Sequence, residues 1–491
     1  MGSRVRVLSV THVRPAGADT SNPPPHGAAG AGHAIKLSLF DTMFIALTPI
    51  QRLFFYEGDD LPPFPDLART LRSSLAATLA VFPPLAGAVA VSSSGDDDDD
   101  DVVIDCSPDD TVSRGGGGGV RFVEAEYAGG ADDVRRLAGD AEHDAEAYAQ
   151  LAPALEVGAL PAPALAVQVT RPAADRGGGV GAVVVGVSMS HVVADGQALW
   201  EFIRAWAAAA RGGVSAAGAA GLGVTPPTLD RAAINRHPKA EEVARKFLRV
   251  FAPALPTVKT FPEPASALQG GRTYLLTAGQ IRSLKHRISL HSKGADADDV
   301  TSPAAAIPPS TYAAVASLVW TSAVRAKNSH NRADDDAYLM FAADCRARLR
   351  PPLPAAFFGN CAKACYARAT VGELRAGGGE AALARAAAAV REAVREQLAD
   401  PLADAERWLE RHRALPPGRV VQVGASNRFA AYETDFGWGR PARVELASVF
   451  VREFVAVVGA PEGSVQVSVV LDRDCMDGFE ASFLSQLDGA A

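Results

Sequence analysis

The stretch VGAVVVGVSMS, residues 180–190, limits the folds open to this chain more than any other. It is a short, nearly continuous apolar run rich in valine, the pattern of a strand covered on both faces rather than on one. Directly after it, QALWEFIRAWAAAA places Leu199, Phe202, Ile203, Trp206 and Ala210 on one face of an amphipathic helix. A fully covered strand feeding a helix is the repeating unit of an α/β protein.

The same alternation runs through both halves. In the first, FPDLARTLRSSLAATLAVFPPLAG has Leu67, Leu71, Leu75 and Leu79 at helical spacing and stops at Pro83 and Pro84. ALAVQVTRP reads as a second buried strand. In the second half GRTYLLTAGQIRSLKHRI is a strand entering a helix, STYAAVASLVWTSAVRA a helix, and DDAYLMFAADCRARL a strand. EAALARAAAAVREAVREQL is a long helix, and strands over 443–451 and 464–472 close the chain. A chain of 491 residues exceeds one ordinary core, and two units of roughly 200–250 residues each are expected. The expected division is a first lobe over 1–210, a crossover linker over 211–265 and a second lobe over 266–491. Segments 15–33, 92–101, 114–119, 211–223 and 291–309 are Gly-, Asp- or Pro-rich and read as solvated insertions. The aspartate run lacks the alternating ligands and turn glycine of a calcium loop.

Net charge is −8, against a nucleic-acid partner, which needs a basic surface. The five cysteines are widely spaced, fitting neither a disulfide framework nor a zinc site. The opening residues lack the apolar stretch of a signal peptide, Arg6 breaks the myristoylation pattern, and no run reaches membrane-spanning length. A soluble, cytoplasmic monomer without metal is expected.

His191 and Asp195 fall in SHVVADG, between that strand and that helix. Such connections carry the chemistry of many α/β proteins. An imidazole there can accept a proton near neutral pH. By spacing alone, Asp195 as a helix N-cap and His191 as a core histidine are the favoured readings. GVSMS also approaches the G-x-S-x-G nucleophile elbow and raises a hydrolase using Ser188, but Ser190 stands where the elbow needs glycine. Downstream, YETDFGWGRPARVE sets Trp438 between Gly437 and Gly439, with Asp435 and Arg440 as a possible charge pair.

SHVVADG followed by DFGWG resembles the BAHD acyl-CoA-dependent acyltransferases of plants. SLFDTMFIALTPIQRLFFYE (38–57), FPPLAG (82–87), ADCRARLRPPLPAAFFGNC (343–361) and VLDRDCMDGFEASF (470–483) extend the resemblance over nearly the whole chain. The resemblance implies an α/β fold of two chloramphenicol-acetyltransferase-like lobes joined by a long crossover loop, with an active-site channel between them. It implies that His191 is the general base, that Asp195 points away and pairs with an arginine, for which Arg346 is the candidate, and that Asp435, Gly437, Trp438 and Gly439 form a structural loop. Acyl-CoA would be a co-substrate, with no bound cofactor.

FFGNC differs at Phe357 from the YFGNC of the clade that acylates anthocyanins and other phenolic glucosides, which implies malonyl-CoA as donor and a sugar hydroxyl as acceptor. A malonyl carboxylate needs a cation. Arg428, Arg440 and Asn360 are candidate pocket residues, and Lys285 is a candidate for the CoA phosphates. A hydroxycinnamoyl-CoA donor, the Ser188 hydrolase and an inactive binding protein are the rival readings.

Overall fold

A computed structural model describes residues 3–17, 34–92, 101–107, 118–173, 180–213, 225–261, 269–295, 308–327, 331–377, 379–447 and 453–489. The Asp run over 96–100 and most of the other expected insertions lie outside them. Strands are numbered in chain order: β1 Val5–Val13, β2 Ala34–Lys36, β3 Ile50–Glu57, β4 Ala88–Ser92, β5 Asp101–Asp105, β6 Val120–Tyr127, β7 Ala162–Pro163, β8 Leu165–Pro172 and β9 Ala182–Met189. The second half adds β10 Gln269–Leu276, β11 Asp336–Asp344, β12 Ala362–Thr370, β13 Val420–Gly424, β14 Arg443–Leu446, β15 Phe454–Gly459 and β16 Val465–Asp472. The longest helices are α1 Phe64–Leu79, α2 Gly196–Gly212, α3 Ala240–Phe251, α4 Ala278–Ala295, α5 Thr311–Ala326, α6 Glu380–Gln397 and α7 Arg473–Asp488.

Two six-stranded sheets organise two lobes, in the orders β1-β6-β8-β9-β3-β14 and β10-β16-β15-β13-β11-β12, and a four-stranded sheet, β2-β5-β4-β7, accompanies the first. Every residue of β9 is buried, as its unbroken apolar run requires. Val183, Val185, Val187 and Met189 face the core containing α2, and Val184 faces a smaller one with Leu151 and Tyr148. On α2 the five expected residues are all buried, together with Trp200, Ala205 and Ala207. Only a narrow stripe around Arg204 reaches solvent, so the helix is more enclosed than amphipathicity implies. Trp206 Nε1 donates to Leu71 O at 3.2 Å and Ser74 Oγ at 3.1 Å, binding α2 to α1.

Two features depart from the sequence expectation. The segment 211–265 is not only a connection: it holds α3 and a short helical turn, Ala232–Asn235. The expected strand over 443–451 is described only as Arg443–Leu446, and it pairs antiparallel with β3 in the first sheet, not the second. A strand contributed across the lobes is a long-range pairing, to which local periodicity is blind. Among the described residues no helix is long and apolar enough to cross a membrane.

Candidate active site

The turn after β9 carries His191, and Asp195 ends it as the N-cap of α2, its Oδ1 accepting from Ala198 N at 3.1 Å. The carboxylate also takes a two-pronged contact from Arg346, Nη1 to Oδ2 at 2.9 Å and Nη2 to Oδ1 at 3.0 Å. Cys361 N donates to Oδ2 at 2.9 Å. Asp195 and Arg346 are each 3% exposed, so their charges compensate each other away from water. Asp195 is therefore both the N-cap and the partner of Arg346.

FFGNC wraps this pair. Arg346 also donates to Gly359 O at 2.9 Å and Phe357 O at 3.4 Å. The buried Phe357 ring lies against two guanidiniums, Arg346 at 5.5 Å and Arg231 at 5.7 Å. Gly359 must be glycine, because a Cβ there would meet Arg231 Nη2 at 2.8 Å. Asn360, a candidate for the substrate pocket, is instead fully buried and spends its NH2 group on the protein, its Oδ1 being enclosed without a partner. Its Nδ2 donates to the carbonyls of His191 and Val192, each at 2.9 Å, and to Asp41 Oδ1 at 3.0 Å. The other oxygen of Asp41 accepts from Arg231 Nε at 3.0 Å and Ser38 Oγ at 2.7 Å. Two buried carboxylate–arginine pairs thus grip the histidine turn, one arginine coming from the second half of the chain and the other, Arg231, from the segment 211–265.

His191 itself is half-buried. The ring of Phe44 stacks on it, centroids 4.0 Å apart and planes within 8°. Its Nδ1 is enclosed without a hydrogen-bond partner. Burial pushes the imidazole below its ordinary value, opposed by its own backbone carbonyl, the Asp195 charge and Asn360. Burial therefore favours the neutral form of the ring.

Ser188 offers no nucleophile. It is fully buried within β9, donates its hydroxyl to Pro153 O at 2.5 Å and accepts from Gln51 Nε2 at 3.0 Å. The DFGWG loop sits elsewhere. Asp435 Oδ1 accepts from Gly437 N at 2.7 Å and Gly439 N at 2.9 Å, so it closes its own turn instead of pairing with the exposed Arg440. Both glycines have positive φ, 109° and 98°, where other residues are strained. Phe436 packs on Trp206 at 4.8 Å, and Trp438 stacks on Phe436 at 5.6 Å. Trp206 lies ten residues into α2, about 15 Å from its start. The loop therefore docks the second half of the chain onto the far end of the helix that His191 precedes.

Arg428 is exposed in the turn after β13, and Lys285 is half-buried on α4; no contact joins either to His191. Sequence reasoning missed Arg231, and it quoted Asp41 and Arg52 without assigning either a part. The available signal was a charge set in an apolar run, Asp41 in SLFDTMF and Arg52 in PIQRLFFY, where burial is costly unless compensated.

Comparison with known proteins gives a consistent result. Residues 29–485 match the model of the Transferase family. Phenolic glucoside malonyltransferase 1 of Arabidopsis thaliana is 27% identical, over 97% of this chain and 96% of its own. Malonyl-CoA:anthocyanidin 5-O-glucoside-6''-O-malonyltransferase of the same plant is 28% identical over 98% of each. Putrescine hydroxycinnamoyltransferase 1 of Oryza sativa subsp. japonica is also 28% identical, over 94% of this chain and 97% of its own. Among solved structures, vinorine synthase superposes with a TM-score of 0.68 at 19% identity, covering 98% of both chains, which establishes the shared fold.

Proposed function

The chain belongs to the Transferase family, the BAHD acyl-CoA-dependent acyltransferases, and from that premise we propose that it moves a malonyl group from malonyl-CoA to a sugar hydroxyl of a phenolic glucoside, with His191 as general base. Two malonyltransferases of glucosylated phenolics, each similar over nearly the full length, support the donor and the acceptor class. One observation carries the assignment of the base. The half-buried imidazole has Nδ1 enclosed and its turn pinned by Asp195–Arg346 and Asn360, which leaves Nε2 for the acceptor.

In this reading Nε2 takes the proton of the acceptor hydroxyl as its oxygen attacks the thioester carbonyl. The tetrahedral adduct collapses, the carbon–sulfur bond breaks, and the imidazolium returns the proton to the departing CoA thiolate. Protonation of the buried ring is transient and costly at rest, which favours its return within the same turnover. Phe44, lying flat on the ring, fixes its plane and faces the imidazolium with a π surface when it forms.

The test is a donor panel of malonyl-, acetyl- and coumaroyl-CoA with one flavonoid glucoside, read by mass spectrometry. Malonyl transfer is expected to dominate. A preference for coumaroyl-CoA would assign the hydroxycinnamoyl reading instead.

A further inference from the structure

Arg52 is 6% exposed, and its Nε is enclosed without a hydrogen-bond partner. Among the described residues no carboxylate comes within ion-pair distance of it. The pleat explains why. Arg52 pairs in register with Val187 on β9 and Leu446 on β14, whereas Glu445 is paired with Leu53 and so points to the opposite face. There Glu445 accepts from Thr273 Oγ1 and Ser468 Oγ. Burial pulls the Arg52 guanidinium down to about 10, with the distant Glu445 charge opposing. A buried cation left in this state is costly unless something else meets it.

Its surroundings say what that is. Arg52 emerges on the α2 side of the sheet, its guanidinium 5.9 Å from the ring centre of Trp200. The Trp200 Nε1 is a second enclosed donor without a partner. Trp200 stands one turn after Gly196, and Phe429 from the second half of the chain closes the same space, 6.3 Å from Trp200. A Cβ on Gly196 would come within 3.2 Å of the Phe429 ring, so the start of α2 lies directly against that wall. Val187, opposite Arg52, is four residues before His191, at most about 13 Å along the chain. An arginine side chain and a three-carbon acyl group together span that separation.

We propose that Arg52, with the indole N–H of Trp200, receives the free carboxylate of a short dicarboxylic acyl donor and thereby sets the enzyme's preference for malonyl-CoA over neutral acyl-CoAs. This rests on the malonyl-transfer reading. A carboxylate is the ligand that satisfies both orphan donors and neutralises the cation in a confined apolar site.

The experiment compares kcat/KM for malonyl-CoA and acetyl-CoA, with one glucoside acceptor, in wild type, Arg52→Gln, Arg52→Lys and Trp200→Phe, each checked for folding by its melting temperature. In Arg52→Gln the malonyl-to-acetyl ratio is expected to fall about 100-fold, chiefly through malonyl-CoA. Arg52→Lys keeps the charge without the fork and is expected to lose about tenfold, and it decides the matter if the glutamine variant does not fold. Trp200→Phe, which keeps the ring and removes the N–H, is expected to lower the ratio several-fold. A ratio unchanged in every folded variant, with wild type using malonyl-CoA, overturns the assignment of Arg52 alone. A wild type that does not use malonyl-CoA overturns the donor reading and this proposal with it.

Discussion

Replacing Asp195 by asparagine separates bracing from chemistry. The carboxylate accepts four hydrogen bonds, two from Arg346 and one each from Ala198 N and Cys361 N. Asparagine keeps the helix cap, since it caps as well as aspartate. Its NH2 group, however, faces the donors of Arg346 and Cys361. Two buried donors left unmatched cost about 1–3 kcal/mol each. That agrees with the about 3–5 kcal/mol typical of removing one member of a buried ion pair. Arg346 retains Asp344 at 3.0 Å and Gly359 O at 2.9 Å, so the lower end, about 3 kcal/mol, is expected. Arg346→Met should cost a similar amount by stranding Asp195. The double variant buries no unpaired charge, and its loss should fall at least about 2 kcal/mol short of the sum. Urea unfolding followed by tryptophan fluorescence measures all four proteins. Additivity within about 0.5 kcal/mol would refute the brace. So would an Asp195→Asn protein as stable as wild type but without activity, since the carboxylate would then act on the reaction.

Further outcomes follow from the same contacts. Because burial lowers the His191 pKa, the ring charges only below the usual imidazole value of about 6.5, so the acid limb of the kcat/KM profile should lie under that pH; a limb above it would contradict the burial argument. The same sign applies to stability, which this group supports above about pH 6.5 and which falls as the pH drops through its lower folded value. Ser188→Ala should keep transfer activity within a few-fold, and loss of turnover with the fold intact would revive a serine nucleophile. Gly437→Ala forces alanine to positive φ and should cost about 1–2 kcal/mol in melting experiments while leaving the pH profile unmoved.

Local pattern reached some of this architecture and could not reach the rest. The buried run over 180–190 and the helix after it follow from hydrophobic periodicity, and β9 and α2 form there. The partnership of Asp195 with Arg346 spans 151 residues, and only the family resemblance suggested it. The sequence offers Asn360 as a pocket candidate, while its partners, the carbonyls of His191 and Val192, are visible only in three dimensions. The crossing of β14 to the first sheet was hidden for the same reason. Asp41 and Arg52 were legible in principle, as charges that the surrounding apolar sequence would bury, whereas Arg231 stands in polar sequence that gives no such signal. Spacing holds no information about what they meet. Arg428 and Arg440 show the converse, since nearness to a motif in sequence left both exposed and apart from the histidine.

The central claim is that the His191 imidazole takes the acceptor's proton in a direct transfer from CoA. It is tested most directly by comparing wild type and His191→Gln with malonyl-CoA and a phenolic glucoside, following CoA release and the acylated product together. The account expects kcat to fall by about 10²–10⁴-fold with the melting temperature retained, and no malonyl group on the intact protein when acceptor is withheld. A well-folded His191→Gln enzyme that still acylates the glucoside at close to the wild-type rate, or a malonylated protein in the absence of acceptor, would contradict it.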